Sequence, residues 1–447
     1  MLRRFTSAAI YLVSVLSTAT AADGYKAGTA SHVITPTEPL WMAGYASRNM
    51  PCDTKRHDLW VKALALEDPA GHRCVLLTSD LCGIPRSLSE PVCAEVMKRT
   101  GLKREEIMLS CSHTHSGPVI DGNLSDMYEL TPEQPKRIHK YTQQLRGWMI
   151  ETTIAAVKDL KPATLAIGQG TARFAMNRRQ PTDKGVTNGR NPEGPVDHSV
   201  PVLEVKDADG KVKAVVFGYA CHNTTMQFYE WCGDYAGFAQ IDVERKHPGA
   251  LALFWIGTGG DANPLPRSKI ELCEQYGKEL AGAVEDGLAK PTPLTANLTA
   301  RYAEIELPFD TIPGKERWNE EVLSKTHAVR IRAERMLKKL ESGPIPDRYP
   351  NYPVEVWRFG DQLTWVALGG EVVVDYNLRL HRELKRKPLW ITGYANDVMA
   401  YIPSARVLKE GGYEADSSQI YYGNPTRWSP AIEDKIIGKV LELVKKD

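Results

Sequence analysis

Ile107-Met108-Leu109-Ser110-Cys111-Ser112-His113-Thr114-His115-Ser116-Gly117-Pro118 decides how the rest of this chain is read. Ile107, Leu109 and Cys111 alternate with Met108, Ser110 and Ser112, the two-residue period of a β-strand, and Gly117-Pro118 stops it. His113 and His115 continue the first set. Extended geometry carried through them puts both imidazoles on one face, about 7 Å apart at Cα. That suits one metal ligand beside an acid/base or an oxyanion donor. A pair of hydrogen-bonded polar residues at a strand end is the plainer alternative, but two histidines between an apolar run and a Gly-Pro turn favour a site.

The chain around this stretch has 447 residues, 42% of them hydrophobic, enough for one large domain or two intimate ones. Its 56 basic and 55 acidic residues balance, so nothing calls for nucleic acid or an acidic surface as partner. Residues 1–22 stand apart: Arg3-Arg4, an apolar stretch over 8–16 and Ala19-Thr20-Ala21 read as a secretory signal peptide, leaving 23–447 as the mature domain. No later stretch approaches the length of a transmembrane helix. The expectation is a periplasmic or secreted protein. Eight scattered cysteines include no CxxC; Cys221 and Cys232 are spaced to close a short loop, and several others read as small buried hydrophobes.

Apolar patterning predicts strands at 59–66 and 74–78 as a hairpin, 164–168, 200–205 with 212–219 as a second hairpin, 251–256, 363–368 and 389–392. Helices are predicted over 88–100, 135–160, 270–288, 318–342, from 371 to about 384, and 430–444. Residues 180–195, rich in Gly, Pro, Asn and charge, read as a loop. This is an α/β chain with a mixed sheet in layers. Four strands end in residues that can do chemistry: His113 and His115, His222, the Gly257–Pro264 loop, and Glu371. Sites in α/β folds collect at strand C-termini, and two His with one Glu make a plausible zinc set with room for a water. The Gly-rich loop lacks Gly-Lys-Ser/Thr and is no phosphate loop. Arg178 or Arg179, buried near a metal, would hold a carboxylate or a developing oxyanion.

Ser112-His113-Thr114-His115-Ser116-Gly117-Pro118 resembles the His-Thr-His-Ser-Gly-Pro of the neutral (non-lysosomal) ceramidases, zinc-dependent amidases, and the resemblance runs from about Tyr25 to Gly423. It implies that His113, His222, Glu371 and Tyr401 hold Zn2+ and that His115 is a catalytic neighbour. Asn177-Arg178 is similar to the family's Asn-Arg pair, and Tyr413-Glu414 to its Tyr-Glu, so Arg178 and Tyr413 would face the substrate. Three departures stand out. Asn263 occupies the position of the serine in Gly-Asp-x-Ser-Pro; Val398 replaces the first tyrosine of Asn-x-Tyr-x-x-Tyr; and the family's C-terminal β-sandwich domain is expected to be absent. With no serine nucleophile, metal-activated water fits better than an acyl-enzyme, and Asn263 keeps only amide hydrogens to offer a substrate. The expected small-molecule substrate is an N-acyl lipid or an acylated amino sugar, cut at an amide or ester. A metal-dependent glycan-cleaving enzyme and an inactive ligand-binding relative are the alternatives.

Overall fold

The structure, a computed structural model, describes residues 24–124, 127–386 and 388–445. The leader expected over residues 1–22 lies outside them. Among the described residues, nine strands build the main sheet. Its path runs from Leu251–Ile256 through Val212–Tyr219, Ser199–Asp207, Lys161–Thr171, Tyr25–Val33, Trp60–Glu67 and Arg73–Ser79 to Ile107–Cys111, with Thr292–Leu294 added beside Lys161–Thr171. The pairs at the two ends are parallel and those between are antiparallel. Parallel neighbours need a crossover, and helices Arg86–Thr100 and Asp234–Lys246 supply it.

Each step across a sheet turns the strand direction by about 20–25°. Summed over the path, this brings strands that a flat sheet would hold opposed to a nearly parallel approach. The loops leaving Ile107–Cys111 and Val212–Tyr219 accordingly meet, in a parallel bridge between Thr114 and Asn223. The His115 amide donates to the Asn223 carbonyl at 3.1 Å, and Asn223 Nδ2 donates to the Ser112 carbonyl. Both histidine loops are thereby tied to each other.

The period-two pattern sorts the core into layers. Ile107 and Leu109 face a core shared with helices Arg86–Thr100, Gln134–Lys158, Asp234–Lys246 and Ile270–Leu288. Met108 faces the opposite core, where the main sheet packs on a second sheet ordered Leu298–Pro308, Arg348–Phe359, Leu363–Leu368, Leu389–Thr392. Trp255, Trp357, Trp365 and Trp390 fill that interface, with ring centroids 5.2–6.4 Å apart. The far face of the second sheet is covered by Asp375–Leu384 and Ile432–Lys445. The result is a helix–sheet–sheet–helix stack, the mixed α/β architecture that the alternation predicts.

Both predicted hairpins form. The expected loop 180–195 is instead largely strand: Ala175–Thr182 pairs with Gly185–Asn191 and with Ala262–Pro264. Its polar residues reflect a hairpin exposed on most of its surface, where no apolar alternation is required. The helix predicted over 318–342 is two, Lys315–Glu321 and His327–Ser342, because Ser324 and Thr326 compete for the backbone between them. Strands Leu298–Pro308 and Arg348–Phe359 escape prediction, the first because its residues are mostly half-exposed and the second because Pro350 and Pro353 punctuate it. All eight cysteines are buried and unpaired, Cys221 and Cys232 included, so the suggested loop closure is not made.

Leu109 is fully buried in the helix–sheet core. Leu109→Ala is expected to cost about 2–5 kcal/mol by loss of transfer energy and creation of a cavity, read as a lower midpoint in denaturant unfolding.

Candidate metal centre

The central strand ends at Cys111, two residues before the first histidine. His113 then takes a left-handed backbone, φ 58°, so extended geometry does not carry both histidines along one face as expected. The turn achieves the proximity differently: the two rings lie 4.7 Å apart, nearly perpendicular, with Nε2 of one 3.0 Å from Nε2 of the other. Gly44 makes room for this, at φ 96°. A Cβ there would sit 2.4 Å from the His115 ring.

His222 follows Val212–Tyr219, its amide held by the Ala262 carbonyl at 3.0 Å. Glu371 sits in the two-residue strand Glu371–Val372, which pairs with Tyr401–Ile402 and so sets the carboxylate beside the Tyr401 phenol. The three come together deep in the protein: Glu371 Oε2 is 3.3 Å from His113 Nε2 and 3.1 Å from His222 Nε2. Tyr401 Oη lies 3.0 Å from His222 Nε2. His113, His222, Glu371 and Tyr401 are each no more than 3% exposed.

Which ring nitrogen faces inward follows from hydrogen-bond accounting. His113 Nδ1 meets the Cys82 carbonyl, and His222 Nδ1 meets the Gly259 carbonyl at 2.7 Å. A carbonyl only accepts, so each Nδ1 carries the proton and each Nε2 is left with a lone pair. These lone pairs converge on Glu371 Oε2, which has no hydrogen-bond donor. Two imidazole nitrogens and a carboxylate oxygen, all acceptors and all buried, repel one another unless a cation lies between them. Nitrogen and carboxylate donors in this arrangement fit zinc. Cys82 with His113 and His115 also cluster closely enough for a metal, but Cys82 Sγ lies 3.9 Å from the His113 Nδ1 that is already committed to a carbonyl.

The surrounding charges are arranged about Arg178, which branches three ways: Nε to Glu414 Oε1 at 2.8 Å, one terminal nitrogen to Asn263 Oδ1 at 3.2 Å and the other to Tyr401 Oη at 2.9 Å. Glu414 also accepts from Arg179 at 2.6 Å. Burial opposes the charge on Glu414, but the two guanidinium groups hold its carboxyl below the usual range. Burial, then the Arg178 charge, drives His222 down to about 3. Burial, then His113 and His222, pushes His115 well below its ordinary value, so both rings stay neutral. Tyr413 packs its ring 5.4 Å from that of Tyr401, with the Arg178 guanidinium 5.6 Å from its centroid.

Every residue expected at the site is thus brought to one place: His113, His222, Glu371 and Tyr401 inside, His115, Arg178, Asn263 and Tyr413 around them. Sequence reading missed Tyr422, whose hydroxyl donates to Glu371 Oε1, and Tyr394, whose ring lies 4.5 Å from that of His113. In the Gly-rich loop, the Asp261 carboxylate joins the Val374 amide to Asn177 Nδ2 and locks that loop to the Glu371 segment. Tyr422 lies in a short 3-10 segment, Ser417–Tyr422, which carries no periodic signal.

The layered fold and the convergent donor set both have counterparts. The sequence pattern described as neutral/alkaline non-lysosomal ceramidase, N-terminal, matches residues 25–259. Similar curated proteins include the neutral ceramidase of Pseudomonas aeruginosa, 26% identical over 243 residues, which cover 50% of this chain and 34% of that protein. Another is neutral ceramidase A of Dictyostelium discoideum, 25% identical over 268 residues, 55% of this chain and 36% of that protein. The matched stretch is therefore about a third of the length of these relatives. The crystal structure of neutral ceramidase from P. aeruginosa superposes with a TM-score of 0.71 at 18% identity, covering 94% of this chain and 73% of that one. A ceramidase complexed with C2 gives 0.72, likewise at 18% identity, over 93% and 74%. The chain belongs to the neutral/alkaline non-lysosomal ceramidase family.

Glu414→Gln leaves two buried guanidinium groups short of a counter-charge and is expected to destabilise the fold by about 3–5 kcal/mol. Because the folded-state pKa of Glu414 is depressed, its contribution is present above the unfolded value near 4.5 and lost as pH falls below it. Unfolding curves of wild type and variant should therefore approach each other on acidification.

Proposed function

We propose that this protein is a zinc-dependent hydrolase that cleaves an amide or ester bond of an N-acyl lipid or an acylated amino sugar. The observation that supports this most directly is Glu371 Oε2, a buried carboxylate oxygen facing two imidazole lone pairs with no donor to satisfy it. His113, His222, Glu371 and Tyr401 would hold the ion. When bound, zinc supplies Lewis acidity to a carbonyl oxygen and lowers the pKa of a water.

The other residues divide the remaining work. His115 is the only one of the three histidines that is partly exposed, and its Nδ1 lacks a partner, so a substrate entering the site meets a neutral imidazole free to take or return a proton. Arg178, permanently charged and anchored by Glu414, holds its positive end against Tyr401 and Asn263, where it favours negative charge on the reacting carbonyl oxygen. Asn263 gives its Oδ1 to Arg178, which turns its amide hydrogens away from the guanidinium and offers them to substrate. Tyr413 places a phenol beside the same group. An amide at position 263 is not a nucleophile, which favours direct attack by water.

Residues 23–447 act as one catalytic unit in this reading, in an exported protein. Among the described residues no helix is long and apolar enough to cross a membrane. The test is metal content per chain by elemental analysis, followed by turnover. About one zinc per wild-type chain and loss of it in both His113→Ala and His222→Ala are expected. His115→Ala should keep the metal and lose about 10²-fold or more in kcat. No metal in the wild type, even after zinc is added, would overturn the reading.

A further inference from the structure

Cys232, Cys273, His57 and Asp234 form a cluster of titratable side chains that the candidate metal centre does not use. Cys232 stands two residues ahead of helix Asp234–Lys246, and Cys273 lies in the first turn of helix Ile270–Leu288. The two helices pack so closely that a Cβ on Gly277 would sit 2.5 Å from Phe238 Cβ. Cys232 Sγ lies 3.3 Å from His57 Nε2. The other ring nitrogen faces the Asp58 carbonyl at 3.1 Å, so Nδ1 carries a proton and Nε2 is the atom that takes one from the thiol. The ring rests on the first helical turn, where a Cβ on Gly237 would sit 2.4 Å from its Cε1. The Cys273 thiol hydrogen-bonds both the Cys232 sulfur and the Asp234 carboxylate.

The two sulfurs differ in charge. Burial opposes a thiolate at Cys232, but the hydrogen bonds to Cys273 and His57 outweigh it and hold that thiol below its ordinary value. Burial also opposes the charge on His57, and the hydrogen bond to Cys232 raises the imidazole despite it. Both directions describe a thiolate beside an imidazolium. Burial, with the hydrogen bond to Cys232, pushes Cys273 well above its ordinary value and leaves it a thiol. Burial likewise pushes up Cys52, Cys74, Cys82, Cys93, Cys111 and Cys221. The thiolate is the reactive form of cysteine, so Cys232 is set apart from the other cysteines. Three donor atoms of the cluster do not come close enough together to hold a metal ion, which leaves chemistry at sulfur. Cys232 is fully buried, but His57 is partly exposed, and a molecule as small as a peroxide reaches the sulfur along that ring.

We propose that Cys232 is a site of oxidation by hydrogen peroxide or an alkyl hydroperoxide and that Cys273 resolves it to a disulfide; this chemistry does not rest on the hydrolase reading. The Cys232 thiolate attacks one peroxide oxygen, the O–O bond breaks, and the departing hydroxide or alkoxide takes the proton of the His57 imidazolium. Sulfur is oxidised to a sulfenic acid as the peroxide is reduced. Cys273 then gives its proton to Asp234 and attacks the sulfenic sulfur; the S–O bond breaks, the S–S bond forms, and the leaving hydroxide takes that proton to become water. The main chain of Cys232 carries the change to the histidine loop. Its amide donates to the Ser116 carbonyl at 3.1 Å and its carbonyl accepts from Thr114 Oγ1 at 2.7 Å, and these two residues flank His115.

The test treats the folded, reduced chain with hydrogen peroxide, alkylates the remaining thiols and maps the peptides by mass spectrometry without reductant. A Cys232–Cys273 crosslink is expected before any other cysteine is modified, and dithiothreitol should reverse it. Cys273→Ser should instead accumulate a sulfenic acid on Cys232, trapped as its dimedone adduct, and His57→Asn should slow the oxidation at least about tenfold. Hydrogen exchange over residues 112–117 should quicken in the oxidised chain. A wild-type chain whose Cys232 survives peroxide, or is oxidised no faster than its other cysteines, overturns the assignment without recourse to any variant. An unchanged rate in folded His57→Asn overturns the role given to His57, and unchanged exchange over 112–117 overturns the coupling to the histidine loop.

Discussion

Two backbone carbonyls, those of Cys82 and Gly259, fix the chemistry of the centre, because each accepts the Nδ1 proton of one histidine and so turns a bare Nε2 toward Glu371. A freely rotating imidazole would choose the tautomer that its neighbours reward. Here the choice is made by main chain that cannot move without disturbing the sheet. Tyr422 acts similarly on the carboxylate, occupying Oε1 and leaving Oε2 to the histidines. The site is thus an arrangement of acceptors that the fold enforces from behind, with its electrostatic cost concentrated in a few buried atoms.

That enforcement depends on the coiling of the main sheet. The Thr114–Asn223 bridge and the Asn223 hydrogen bonds join loops that leave strands near opposite ends of the sheet's path. The second sheet contributes the remaining pieces through its connections: Glu371 follows Leu363–Leu368, and the segment after Leu389–Thr392 carries Tyr394, Asn396 and Tyr401. Asn396 closes the gap between the sheets. Its amide and Oδ1 pair with Leu109, and its Nδ2 donates to the buried Glu355 at 2.7 Å.

The layers were legible in sequence because burial on both faces of the central strands demands continuous apolar runs; Arg348–Phe359 is the exception, buried from Tyr352 to Trp357 but interrupted by Pro353. The site was legible for a related reason: His113, His222 and Glu371 all terminate those runs, and strand ends are where a rigid scaffold meets free loops. What stayed hidden has a different physical character. The left-handed turn at His113 replaces extended geometry without leaving any mark in residue type, since histidine is no glycine. Tyr401, Asn263 and Tyr413 entered as individual residues only through the resemblance to a family, because a tyrosine or asparagine alone has no periodic signature of function. Tyr422 and Asp261 act through contacts between segments far apart in the chain, which no local window contains.

That distance along the chain governs when the centre can exist. The candidate donors at 113, 222, 371 and 401 come from both sheets and from loops that touch only after the layers have stacked. A nascent or partly folded chain holds at most isolated histidines and carboxylates. Long-range contacts of this kind form late because loop closure must precede them. An ion that recognises the complete set therefore cannot nucleate this fold; it acts on the finished molecule as a ligand acts, slowing its return to the unfolded ensemble.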